Sequence, residues 1–255
     1  VGQWCGDQEY DACTWQAWQV AANLAPGDPN PRLALGAFYW ARGDGESATQ
    51  AFEKARSMAP DLPEAYNNLG LIYAQQGMHE EAIAAFRRAL ELEPGIATAE
   101  HNLGASLQAI HNYDEAVGHY QTSLALGGPQ VSTLLNMAIA YFEAGQPGDA
   151  ELVAHEALRL APDLAPAYTV LGAAALEAGQ PELALSELQR AVDLDAGYGQ
   201  AHFYIGLAYK SLNQPVEAIA AFEEALVHAR DEVTRTRIRR HLSELYAEQE
   251  RGRYP

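Results

Sequence analysis

Residues Pro63–Pro94 read PEAYNNLGLIYAQQGMHEEAIAAFRRALELEP. Two apolar patterns of helical spacing flank Gly77 in this stretch. The first carries Tyr66, Leu69, Gly70 and Tyr73, and the second carries Ala82, Phe86, Ala89 and Leu90. Apolar residues three and four apart fall on one face of a helix, and a Gly between two such runs marks a turn. The stretch therefore predicts two short helices facing each other across Gly77. Pro94 ends the second, because Pro cannot continue a helix.

Sliding this pattern by 34 residues recovers it across most of the chain. Six full copies follow without insertion, starting at Pro29, Pro63, Ala97, Val131, Ala165 and Gly199. Their eighth residues are Gly36, Gly70, Gly104, Ala138, Gly172 and Gly206, and their twentieth are Ala48, Ala82, Ala116, Ala150, Ala184 and Ala218. Small residues at both places let two helices cross closely. The twenty-fourth residues, Phe52, Phe86, Tyr120, Ala154, Leu188 and Phe222, are the groups expected to wedge between copies. Pro147, Pro181 and Pro215 sit at the inner turn of the later copies, near the first position of a helix. Three features depart from the pattern: Ala154 in place of an aromatic, Arg230 in place of a closing Pro, and Gly127-Gly128-Pro129 at a junction. They predict looser stacking or a bend near residues 128–160.

These residues resemble the tetratricopeptide repeat, a helix–turn–helix unit of 34 residues. The resemblance implies an all-α fold, a right-handed α-solenoid or superhelix in which each repeat contacts its neighbours. Three parts are expected: a half-repeat over residues 1–28, six repeats over 29–232, and a capping helix with a basic tail over 233–255. In the first part a helix is expected over Asp11–Leu24, with Trp15 and Trp18 on its buried side. Cys5 and Cys13, the only cysteines, flank the turn-like residues 6–10. Either they form a disulfide that staples this incomplete end in an oxidising compartment, or they are two reduced, small hydrophobes. In the last part Val233, Ile238, Leu242, Leu245 and Tyr246 recur at helical spacing, as a helix closing the array requires.

Composition narrows the partners. The chain has 34 acidic and 16 basic residues, a formal charge of −18. Such a body repels nucleic acid and anionic lipid, because both are bound through clustered Lys and Arg. No apolar run reaches the length needed to span a bilayer. The chain starts at Val1 rather than Met, so either a leader has been removed or the numbering begins inside a longer chain. With the two early cysteines this gives a secreted, periplasmic or extracellular expectation, and a cytoplasmic one otherwise. Seven arginines fall in the last stretch: Arg230, Arg235, Arg237, Arg239, Arg240, Arg251 and Arg253. An acidic body with a basic end can attract another copy of itself.

No catalytic constellation, metal-ligand spacing, cofactor motif or phosphate loop is recognised, so a non-enzymatic protein is expected. The histidines are scattered. His101 and His202 fall on first helices, where they either face a ligand or are plain polar surface. What remains is the concave groove that the resemblance assigns to the first helix of each repeat. Its sixth position reads Ala34, Asn68, Asn102, Asn136, Val170 and Tyr204. An Asn amide offers both a donor and an acceptor, so a ladder of three can pair with a peptide backbone of any sequence. This is similar to the asparagine ladder of the O-linked N-acetylglucosamine transferases. The other reading is that Asn68, Asn102 and Asn136 hold neighbouring helices together. Leu71, Leu135, Ile139, Phe142 and Phe203 are expected to supply apolar groove surface. The Lys and Arg of a carboxylate clamp are missing apart from Lys210, so an extended or helical peptide with apolar side chains and basic groups is the expected partner. The alternative is a structural subunit that stacks head to tail into an extracellular filament, with Trp15, Trp18, Arg235, Arg237, Arg239 and Arg240 in the contacts.

Overall fold

The computed structural model describes the backbone of residues 7–253 and the side chains of residues 13–250. Among the described residues it has 14 helices and no strand, an all-α helical repeat solenoid. The chain divides into two compact blocks, Val1–Gly128 and Pro129–Pro255.

The first block holds α1 (Asp7–Leu24), α2 (Asn30–Ala41), α3 (Gly45–Met58), α4 (Pro63–Gln75), α5 (His79–Leu92), α6 (Ala97–Ala109) and α7 (Tyr113–Gly127). The second holds α8 (Val131–Glu143), α9 (Pro147–Leu160), α10 (Ala165–Glu177), α11 (Pro181–Leu194), α12 (Gly199–Ser211), α13 (Pro215–His228) and α14 (Glu232–Arg253). In each block the even-numbered helices up to α12 are first helices of a repeat, and each packs on the odd-numbered helix that follows it. Pro63, Pro147, Pro181 and Pro215 each open their helix, where the missing N–H costs nothing.

One small residue and one ring lock each pair. A Cβ added at Gly70 would lie 2.6 Å from the Phe86 ring, and one at Gly36 would lie 2.5 Å from Phe52. Gly104 meets Tyr120, Gly206 meets Phe222 and Gly172 meets Leu188 in the same way. The bulky twenty-fourth residue therefore fills the crossing inside its own repeat. The α8/α9 pair reverses the sizes: Ala138 and Ala154 are both fully buried, and Val170 and Leu171 of α10 pack with them. The small Ala154 is thus matched by Ala138, where the other repeats pair Gly with a bulky residue.

The inner turns share a second constraint. Gly43, Gly77, His111, Gly145, Gly179 and Asn213 all take positive φ, between 57° and 76°. They recur at the repeat interval, and each ends a first helix in the left-handed conformation that closes a C-terminus. Only Gly adopts it without a steric cost. His111→Gly should therefore stabilise the protein, by about 0.5–1 kcal/mol once the extra entropy of an unfolded Gly is deducted. The exposed contact from His111 Nδ1 to the Tyr113 hydroxyl, at 2.7 Å, offsets little of this. A rise of roughly 1–4 °C in thermal midpoint is expected. An unchanged or lower midpoint would show that the turn is not strained.

Two terminal expectations need correction. The first helix starts at Asp7, earlier than Asp11, and its tryptophans are not buried. Trp15 and Trp18 are 37% and 39% exposed, while the residue of α1 that is buried is Ala22. The described α1 has only α2 to pack on, so one helix face cannot cover both indoles. Trp15 instead donates from Nε1 to the Tyr39 hydroxyl at 2.9 Å. At the other end Ile238, Leu242 and Leu245 are buried against Phe203, Ile219, Phe222 and Ala225. Val233 and Tyr246, expected on the same stripe, lie exposed; the Tyr246 hydroxyl donates to Glu223 at 2.7 Å.

Candidate functional site

The first helices of a block touch one another, α2 with α4 and α4 with α6, and separately α8 with α10 and α10 with α12. Their free faces are the surface on which the expected groove residues fall.

In the first block Asn68 and Asn102 are half-buried on α4 and α6, and neither side chain hydrogen-bonds to a described residue. An amide that held neighbouring helices together would be bonded to them. Leu71, one turn on from Asn68, is half-buried too. Asn136 sits on α8 in the second block, in the same half-buried, unbonded condition. The three asparagines thus belong to two blocks.

His101 is no open ligand on this face. Its ring packs 5.6 Å from Tyr120, and burial pushes its imidazole below the usual range. His202 contacts the Ala196 carbonyl through Nε2 at 2.9 Å and stacks on His228.

The second block holds several depressions among its described residues. A cleft of about 610 Å³ is walled by Tyr198, Phe203 and Tyr204 of the α11–α12 region and by Arg230, Thr234 and Arg237 near α14. Another of about 510 Å³ runs between Leu176 and Glu177 of α10 and Leu207 and Lys210 of α12. A shallower depression joins Ile139, Phe142 and Glu143 of α8 to Val170 and Ala173 of α10. Tyr204 lines all three. It occupies the ladder position of the last repeat, where the second, third and fourth repeats have Asn. Its ring meets Phe142 edge-on at 6.1 Å and Phe203 at 5.6 Å. Burial, reinforced by the negative charge of Glu143, pushes its phenol up to about 12, so it stays a neutral donor.

Ile139 and Phe142 are half-buried at this depression, and Leu135 is half-buried on the same helix. Phe203 is a correction. It is only 5% exposed and belongs to the core between α12, α13 and α14. Here α14 lies where the following repeat would, and covers a position that the resemblance assigned to the groove. The Arg237 guanidinium caps the Phe203 ring at 4.6 Å.

Among the described residues, several basic groups of the C-terminal region are engaged within the chain. Arg239 pairs with Glu232 at 2.6 Å and Arg240 with Glu244 at 3.2 Å. Arg235 donates to the Ala229 carbonyl at 3.1 Å, and Lys210 pairs with Glu244 at 2.8 Å. Cys5, one half of the expected staple, lies outside the described residues; Cys13 lies exposed on α1. Among the described residues no three His, Cys, Asp or Glu side chains are grouped to hold a metal ion, and no helix is long and apolar enough to cross a membrane.

Family models of the tetratricopeptide repeat match residues 29–54, 63–95, 95–163, 135–198 and 169–232. No curated protein matches the chain. Several solved structures share its fold. A chain of the APC/C hetero-tetramer Cut9-Hcn1 superposes with a TM-score of 0.72 at 21% identity, over 92% of this chain and 46% of that one. This chain therefore spans about half the length of that relative. PilW, described as a widely conserved type IV pilus biogenesis factor, gives 0.69 at 23% identity, over 82% of this chain and 97% of its own. YrrB, described as having an unusual peptide-binding site, gives 0.57 at 22% identity, over 76% of this chain and all of its own.

Proposed function

We propose, since this chain belongs to the tetratricopeptide repeat family, that it is a non-enzymatic protein-interaction scaffold that binds a peptide segment on its first-helix faces. The observation that carries this reading is the set of half-buried asparagines whose amides meet no described partner. Half-buried amides without a protein partner are left to water, which a bound peptide can replace. A peptide backbone satisfies both sides of such an amide at once. In the second block the aromatic depressions around Tyr204 supply apolar contact, as peptide grooves do.

A selection of random dodecapeptides displayed on phage, run on the intact chain, tests this. Enriched peptides are expected, and Asn68→Ala, Asn102→Ala and Asn136→Ala combined should weaken the best of them about tenfold or more. The helical circular dichroism and thermal midpoint should stay as in the parent, since no side-chain bond to the protein is lost. Equal binding by the triple variant removes the asparagines from the site. No enrichment over an unrelated acidic protein removes the peptide-binding reading.

A further inference from the structure

We propose that the peptide held by the second block presents a Lys or Arg side chain flanked by apolar residues, with its cation between Glu143 and Glu177 and its stem on Tyr204. This rests on the peptide-binding reading above. Glu143 is the last residue of α8 and Glu177 the last of α10, the same place in consecutive repeats. Both are exposed, both line the depressions that meet at Tyr204, and neither pairs with a described cation. A carboxylate at a helix C-terminus faces the negative end of the helix dipole, so these two work against their own helices. The same two helix ends reinforce the attraction for a bound cation.

The basic groups nearby do not cancel them. Lys210 is held by Glu244 at 2.8 Å, and Arg237 lies over the Phe203 ring. Glu143, Asp195 and Asp231 line the larger cleft with Arg230 and Arg237, and Glu177 lines its neighbour with Lys210, so carboxylates outnumber cations by one. Phe142, Tyr198 and Tyr204 line the shallower depression with Glu143, and aromatic faces attract a cation through their quadrupoles. The floor is apolar: Val170 and Ala173 are buried, and suit the methylene stem of a long basic side chain.

The peptides selected above decide the matter. Lys or Arg beside apolar residues is expected to dominate them at an ionic strength of about 150 mM. A fluorescein-labelled synthetic copy of the best peptide should bind Glu143→Gln/Glu177→Gln about tenfold more weakly or worse. Glu151→Gln/Glu156→Gln makes the same charge change on exposed residues of α9. It should bind within about twofold of the parent, since exposed pairs carry little energy. Selected peptides without basic residues, or unchanged binding by the first double variant, overturn this inference and leave the peptide-binding reading standing. Equal weakening by both double variants also overturns it, because bulk charge would then be the cause. A selection that enriches nothing removes both.

Discussion

Phe86→Ala should destabilise the protein by about 3–5 kcal/mol, among the largest effects any single substitution here can have. The ring is fully buried and lies against Gly70, with no space beside it for even a methyl group. Its removal forfeits the transfer energy of a large aromatic and leaves a cavity between α4 and α5 that rigid helices cannot close. Urea titration followed by far-ultraviolet circular dichroism reads the loss as a lower midpoint. The reverse lesion, Gly70→Ala, pushes a methyl into the ring and should cost about 1–3 kcal/mol. The double variant is the informative one. It recreates the Ala–Ala crossing found at Ala138 and Ala154, so it should be less unstable than the two costs summed. Strict additivity would mean that ring and glycine are not one lock.

The second large effect is expected at the far end of the second block. Deleting residues 232–255 removes α14, and with it Ile238, Leu242 and Leu245, each nearly or fully buried. Burial of such side chains contributes about 1.5–3 kcal/mol each. The deletion also removes the His241 ring stacked on Phe222 at 5.1 Å, and so uncovers Phe203 and Phe222. A repeat array with an uncapped apolar end associates or precipitates. The expected result is a mass by light scattering well above that of one chain, with strong binding of a hydrophobic dye. A monomeric truncated chain with the parent's urea midpoint would show that α14 is dispensable.

The fold was legible because its signals are local and repeated. The turn glycines and the helix-opening prolines each act within one repeat, and the structure places them as read; the bulky twenty-fourth residues, expected between copies, fill the crossing inside their own repeat. The ends were less legible because what covers them is not periodic. Nothing in the sequence around Trp15 and Trp18 states how little α2 can cover, and nothing at Phe203 states that α14 takes the place of another repeat. The site was half legible. Asn68, Asn102 and Asn136 stood out as a ladder, whereas Tyr204 looked like a break in it. Glu143 and Glu177 fall one repeat apart, a signal that was present and unread because a pair of acidic residues resembles any solvated surface.

The left-handed turn residues have a consequence for how such a chain changes length. Gly43, Gly77, His111, Gly145, Gly179 and Asn213 mark equivalent points in the backbone. A gene that recombines unequally between two of these points gains or loses one helix pair and keeps every turn intact. Each such exchange also pairs the small residue of one repeat with the bulky residue of another. Gly70 accepts the ring of Tyr120 as readily as that of Phe86. Ala138 does not accept Leu188, whose Cγ would lie only 2.4 Å from a Cβ at the equivalent Gly172. Gly104 beside Ala154 would leave a void. The α8/α9 pair is therefore a fixed point of inheritance: shuffling is tolerated on either side of it and penalised through it.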